Sequence, residues 1–231
     1  MPILTHNGDY FTFVPVFDVF PHGDYPAWTD QEYADETMLF SADWDFAHAH
    51  GGPLTQHVLR ALTDFTRLHD EAARAPDLHI VIDTRIHMLM PGMIPAIGGW
   101  HCDAVPRPGG AHKDQPDPRL YDPRVQHYTM TLSQAATSQT AFVTDPVRVH
   151  LPPGVRVWTA VHAAVADTQP NVMYAPHGAI VNFDQGTIHK ATPAVSPGWR
   201  FFFRASLYNS IPRNQIRRQV QVYIPHEGHG W

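Results

Sequence analysis

Proline is the feature that most limits what this chain can become: 22 of its 231 residues are proline. The ring removes a backbone donor and clashes with the preceding helical turn, so such a chain is poorly suited to long helices. It suits short strands joined by turns, with proline at strand ends and in loops. One helix is expected, from about Pro53 to Ala75, where Leu54, Val58, Leu62, Phe65 and Ala72 recur at helical spacing. After Pro76 the period falls to two. Between His79 and Met90, Ile80, Ile82, Ile86, Met88 and Met90 face one way, while Val81, Asp83, Arg85, His87 and Leu89 face the other. A strand patterned like this lies between a core and something polar.

The first fifty residues alternate aromatics with turn formers, as in Phe11-Thr12-Phe13-Val14-Pro15-Val16-Phe17, and read as short strands and loops. Further strands are expected at Val125–Ser133, Thr140–Val149, Val155–His162, Gly178–Phe183, Thr187–Ala191 and Trp199–Tyr208, with one more extended piece at Gln219–Ile224. Residues 106–124 carry five prolines and several charges and read as a long loop or lid. No repeat or composition shift divides the chain. The reading is one β-barrel or sandwich over 1–231, its core at about 80–208, supported by 1–78 and followed by a tail at 209–231.

Several classes can be set aside. Cys102 is the single cysteine, so no intramolecular disulfide can form, as suits a reducing compartment. Neither a secretory signal nor a run of about 20 apolar residues is present, so a cytoplasmic protein without a membrane span is expected. A formal charge of −6 argues against a dedicated nucleic-acid binder. The sequence specifies no oligomeric state.

The 17 histidines invite a search for metal ligands. A His-x-Asp or His-x-Glu pair on a strand puts both side chains on one face, where they can grip one ion. With 17 His and 22 Asp+Glu in 231 positions, chance alone supplies roughly 1.6 such pairs. Four are present, so context must decide. His69/Glu71 falls in the expected helix, where residues two apart diverge. His112/Asp114 lies in a Pro/Gly-rich loop, and His22/Asp24 in a turn-like stretch without a matching partner. His101/Asp103 follows the Gly98-Gly99-Trp100 turn in an extended segment, directly after the strand with the polar face. Downstream, His189 precedes a strand on which Arg200, Phe202, Arg204 and Ser206 share one side. Two arginines on so phenylalanine-rich a strand are costly unless they meet anions or line a wet cavity.

His101-x-Asp103, a distal His189, and Arg200 eleven residues further on together resemble the Fe(II)/2-oxoglutarate-dependent oxygenases. Trp100-His101-x-Asp103 and Arg200-x-x-x-Arg204 are similar to taurine dioxygenase-type sites, whereas the 88-residue separation of the histidines is closer to the phytanoyl-CoA hydroxylase type. The resemblance implies a mainly β fold, a double-stranded β-helix (jelly-roll) core with one or two supporting α-helices. It implies Fe(II) held by His101, Asp103 and His189, with 2-oxoglutarate and O2 as cosubstrates and succinate and CO2 as products. Arg200 is favoured for the distal carboxylate of 2-oxoglutarate, although Arg204-Ala205-Ser206 also matches an Arg-x-Ser pair used in other branches. With Asp103 present, where related halogenases carry a small residue, hydroxylation or another two-electron oxidation is expected.

Other candidates follow from position. Tyr128, Thr129 and Thr131 lie on the strand where this superfamily often places a hydroxyl near the cosubstrate; Tyr128 and Thr131 are candidates for that contact. Arg85 and His87 on the polar strand face, Arg107 in the loop, Trp100 beside the metal pair, and Arg204 are candidates for substrate contact. Arg213, Arg217 and Arg218 read as solvated surface, and Cys102 as core packing. The substrate is expected to be a small molecule, with a nucleobase or a protein side chain left open, and Arg204, if the cosubstrate does not use it, suggests an anionic group on it. Two rival readings stay open: a cupin-like metalloenzyme that does not use 2-oxoglutarate, and a non-enzymatic β-helix binding module.

Overall fold

The computed structural model describes residues 4–21, 26–108, 115–133 and 138–224, so His22/Asp24 and His112/Asp114 lie outside the described residues. In chain order the elements begin with strands β1 (Leu4–Asn7), β2 (Tyr10–Phe13) and β3 (Phe17–Phe20), then helix α1 (Asp30–Asp35) and strand β4 (Leu39–Phe40). Helices α2 (Trp44–His50), α3 (Pro53–Phe65) and α4 (Leu68–Arg74) lead into strands β5 (His79–Leu89), β6 (Gln126–Ser133), β7 (Thr140–Val143) and β8 (Val147–His150). Helix α5 (Val157–Thr168) precedes β9 (Val172–Tyr174), β10 (Ile180–Asp184), β11 (His189–Ala191), β12 (Gly198–Tyr208) and β13 (Gln215–Ile216).

Among the described residues the strands form four antiparallel sheets. The largest runs β3-β10-β6-β12-β5; a second runs β11-β7-β9, a third β1-β2-β8, and a fourth β13-β4. The long strands β5 and β12 pair over their full length, from Gly198 opposite Leu89 to Tyr208 opposite His79. Their period-two pattern then fixes two unlike faces. One face carries Ile82, Ile86, Tyr128, Met130, Leu132, Phe201, Phe203 and Leu207 into a core covered by α1–α4. Leu54, Val58, Leu59 and Leu62 of α3 supply the helical side of that core. A fully buried side chain such as Phe203 contributes about 1.5–3 kcal/mol there.

The other face of the large sheet meets the β11-β7-β9 sheet. Phe142 on β7 packs with Val181 and Phe183 on β10, joined by Phe17 and Val19 of β3. Alternation on β7 sends its neighbours Ala141 and Val143 the opposite way, into a cluster with Phe11, Phe13, Trp100, Val149 and α5. A mixed α/β architecture of several antiparallel sheets is thus built around an inter-sheet space open beyond Phe183.

Local signals explain the helix limits. Thr29 accepts from the Glu32 N–H while Glu32 reaches back to the Thr29 N–H, a capping box that starts α1. Asp43 caps α2. Helix α3 has no cap from its own Ncap residue. Instead the buried carboxylate of Glu36 accepts from Gly52 N, Leu54 N and Thr55 Oγ1 at 2.7–2.8 Å.

Several expectations are corrected. The single helix over 53–75 is two, because Thr66 turns out of the helix with both its N–H and its hydroxyl bonded to Leu62 O; Phe65 is consequently exposed. Five α-helices are present among the described residues, not one or two. The strand expected at Val155–His162 is helix α5, which buries Val157, Trp158, Val161 and Val165. Thr140–Val149 is two strands in different sheets, and 219–224 makes only a bridge between Tyr223 and Ile94.

Candidate metal centre and its cavity

His101 and His189 come from distant parts of the chain and meet backbone to backbone. The His101 N–H donates to His189 O at 3.0 Å and the His189 N–H to His101 O at 2.9 Å. In each case Nδ1 lies against the carbonyl two residues earlier, Gly99 O at 2.9 Å and Thr187 O at 3.0 Å. A carbonyl can only accept, so each ring carries its proton on Nδ1 and its lone pair on Nε2. Both Nε2 atoms face Asp103: His101 Nε2 is 3.8 Å from Oδ1, and His189 Nε2 is 3.5 Å from Oδ2. The three ligand atoms lie within 4.8 Å of one another.

The donor set fits a divalent transition metal. Two neutral imidazoles and one carboxylate form the ligand set of a facial triad, which leaves positions open for other ligands. The carbonyl partners of Nδ1 are the outer support that metal-binding histidines ordinarily need. Apolar rings close around them, with Trp158 of α5 against His101 and Phe142 and Phe183 against His189.

Electrostatics agree. Burial, reinforced by neighbouring His189, pushes the His101 pKa down to about 4, so its ring is neutral at physiological pH. Burial alone would raise Asp103. Arg204 and the two histidines overcome it and hold the carboxyl well below the usual range. Arg204 Nη1 donates to Asp103 Oδ2 at 2.7 Å, and its Nη2 to Asp83 Oδ2 at 3.0 Å. Its guanidinium, desolvated by burial, is nevertheless raised in pKa by these two carboxylates.

The chain turns sharply after Asp103, because Ala104 adopts a left-handed backbone with φ 55°. That conformation costs about 1–2 kcal/mol for a residue with a Cβ, and Gln185 holds it by donating to Ala104 O at 2.5 Å. Gln185 also accepts from Asp122 N, and Asp184 accepts from Tyr121 OH. The last part of the 106–124 loop is thereby stitched to the turn before His189.

A cavity of about 720 Å³ opens beside the triad. Its floor is the inner face of the large sheet, where register sets three rows: Asp83–Arg204–Thr129, Arg85–Phe202–Thr131 and His87–Arg200–Ser133. Arg200 is 3 % exposed; its Nε donates to Ser138 O at 3.0 Å, and Nη2 reaches Thr131 Oγ1 at 3.5 Å. Burial, with Arg85 nearby, pulls its pKa down to about 9. Neither ring nitrogen of His87 makes a hydrogen bond of good geometry.

The structure brings together most residues singled out from sequence. Arg85, His87, His101, Asp103, Arg107, His189, Arg200 and Arg204 all line the cavity, and Thr131 touches Arg200. Two candidates are corrected. Tyr128 points to the opposite sheet face, where its hydroxyl donates to Glu71 at 2.6 Å, because it is out of phase with Thr129 and Thr131. Trp100 does not line the cavity; it packs among apolar side chains with Lys190 over its ring. Arg204 lines the cavity but is already paired with two carboxylates. Cys102 is buried in the same apolar cluster, and burial raises its pKa.

Sequence reasoning missed a wall. The tail crosses the cavity with Arg217, Gln219, Val220, Gln221 and Tyr223. It is pinned at one end by β13 on β4 and Arg217 N to Met38 O, and at the other by Tyr223 with Ile94. Arg217 therefore faces the cavity, while Arg213 and Arg218 are exposed. Asp83 could have been found, since it shares the strand face of Arg85 and His87.

No protein-family profile matches the sequence, and no curated protein matches it. Among solved structures, the chain is similar to an oxidoreductase of the 2OG-Fe(II) oxygenase family from Burkholderia pseudomallei (TM-score 0.35, 12% identity, 89% of this chain and 71% of that one). It is also similar to an N-substituted L-amino acid dioxygenase from Burkholderia ambifaria AMMD (TM-score 0.38, 16% identity, 87% and 83%). A third is ThoJ, a non-heme monooxygenase solved as its nickel complex (TM-score 0.34, 11% identity, 77% and 76%). The structural neighbours thus include 2OG-Fe(II) oxygenase family members at low identity, and the His-x-Asp…His triad is present.

Proposed function

We propose that this protein is an Fe(II)- and 2-oxoglutarate-dependent oxygenase that hydroxylates a small molecule, built on a double-stranded β-helix core. One observation carries the reading. The His101–Asp103–His189 donor set shares a cavity with Arg200, a buried guanidinium that has no carboxylate partner among the described residues. A metal site alone would suit a cupin-like enzyme. A buried, unpaired arginine beside it asks for an anionic cosubstrate.

Ferrous ion with 2-oxoglutarate and O2 would supply the oxidation: the keto acid would lose CO2 and take up one oxygen atom of O2 to become succinate, and the second oxygen atom would be inserted into a C–H bond of the substrate. The chain's own residues prepare this. His101 and His189 present Nε2 because Nδ1 is held by Gly99 O and Thr187 O. Asp103 offers one oxygen while Arg204 holds the other, which keeps the carboxylate charged and oriented. Arg200 binds the distal carboxylate of 2-oxoglutarate; Ser138 O fixes its Nε, and Thr131 steadies one arm of the fork. Arg204 is unsuited to that task because Asp83 and Asp103 already occupy it.

Anaerobic addition of Fe(II) and then 2-oxoglutarate tests the reading. A visible charge-transfer band is expected on the second addition and should be missing in Asp103→Ala. Metal uptake without the band would favour a cupin-like enzyme, and no uptake would favour a binding module.

A further inference from the structure

Arg200 is not the only guanidinium waiting in the cavity. Arg85 projects from β5 in the next row, opposite Phe202 and about 7 Å along the strand from the Arg200 row. No carboxylate pairs with it among the described residues, since both cavity carboxylates, Asp83 and Asp103, belong to Arg204. Arg107 and Arg217 line the same cavity. Burial lowers the Arg85 pKa, and the charges of Arg204 and Arg217 lower it further. Arg85 and Arg200, neither with a carboxylate partner among the described residues, make an arrangement that is unfavourable until anions enter.

One molecule of 2-oxoglutarate brings two carboxylates. The metal side takes one and Arg200 the other, so Arg85 is left over. Its surroundings are not those of a simple ion site: Phe202 stands opposite it, and Ile97, Trp158 and Val220 line the same cavity. We propose that Arg85 is the anchor for a carboxylate on the substrate, which makes the substrate class small carboxylic acids with an apolar body. The inference rests on the oxygenase reading in one respect, that 2-oxoglutarate occupies Arg200. Arg85 then sets specificity: its planar fork holds the acid while the apolar wall accepts the carbon skeleton.

The test uses full-length protein loaded with Mn(II), which supports no turnover, and saturated with 2-oxoglutarate. Calorimetric titration then compares phenylacetate with neutral phenylacetamide. Wild type is expected to bind phenylacetate about tenfold tighter or more, the margin of a charge-assisted contact. Arg85→Gln should bind both probes alike while its 2-oxoglutarate affinity changes less than about threefold. Arg85→Lys, which keeps the charge but not the fork, should retain part of the preference. Far-UV circular dichroism of each variant shows that it is folded. The proposal is overturned if Arg85→Gln keeps the acid preference, if it weakens 2-oxoglutarate instead, or if phenylacetate fails to bind wild type at millimolar concentration. Failure of the oxygenase reading would show separately, as no 2-oxoglutarate binding to the Mn(II)-loaded wild type.

Discussion

Replacing His87 with glutamine isolates one electrostatic feature of the cavity. His87 is 2 % exposed, stands opposite Arg200 of β12, shares β5 with Arg85, and lies near Arg217 of the tail. Burial, then the charges of Arg200 and Arg85, pushes its pKa down to about 3. In the unfolded chain it returns to about 6.5. Below pH 6.5 the unfolded state therefore binds a proton that the folded state refuses, so acidification destabilises the fold. Between pH 7.5 and pH 5 this one ring should remove about 2 kcal/mol of stability, the free energy of protonating a group of pKa 6.5 at pH 5. His87→Gln lacks the effect. Whatever the substitution costs at pH 7.5, wild type should lose about 2 kcal/mol more than the variant on going to pH 5. Urea denaturation of the metal-free protein at both pH values, followed by tryptophan fluorescence, measures the difference. Parallel losses in the two proteins would refute the account, because they would mean that His87 titrates alike folded and unfolded.

Two further outcomes follow from the packing. Arg204→Gln releases Asp103 Oδ2 and leaves Asp83 buried without its cation, so metal affinity should fall about 10–100-fold and stability by about 3–5 kcal/mol. Metal titration and urea denaturation of the one variant measure both. Glu36→Ala removes the acceptor for three donors at the start of α3 and should cost about 2–4 kcal/mol by urea denaturation, with no change in metal affinity.

Much of the candidate site was legible because it lies on strands, whose alternation is short-ranged and strict. The inward side of β12, with Arg200, Phe202 and Arg204, and the polar side of β5 can be read directly from residue parity. Parity also explains the error at Tyr128, whose hydroxyl is chemically suitable but whose strand position is out of phase with Thr129 and Thr131. Helix α5 was missed because β-branched Val155 and Val157 mimic a strand over a short window. Only through Val165 and the alanines around it does the helical spacing of Val157, Val161 and Val165 emerge. The capping box at Thr29–Glu32 and the Asp43 cap were present as signals for α1 and α2, yet lay among aromatics suggesting strands. The tail's role was not legible at all. The pairing of Gln215–Ile216 with Leu39–Phe40 spans most of the chain, and no local pattern encodes so distant a partner.

In the proposed metal site, the reciprocal amide contacts between His101 and His189 would govern how an ion comes and goes. Because the main chain itself sets the spacing of the two rings, little conformational freedom remains to be lost when metal arrives. Loading thus resembles filling a rigid socket rather than nucleating a domain, in contrast to zinc fingers, where chelation unravels the structure. A metal-free sample should keep its tertiary packing and take up the ion without refolding.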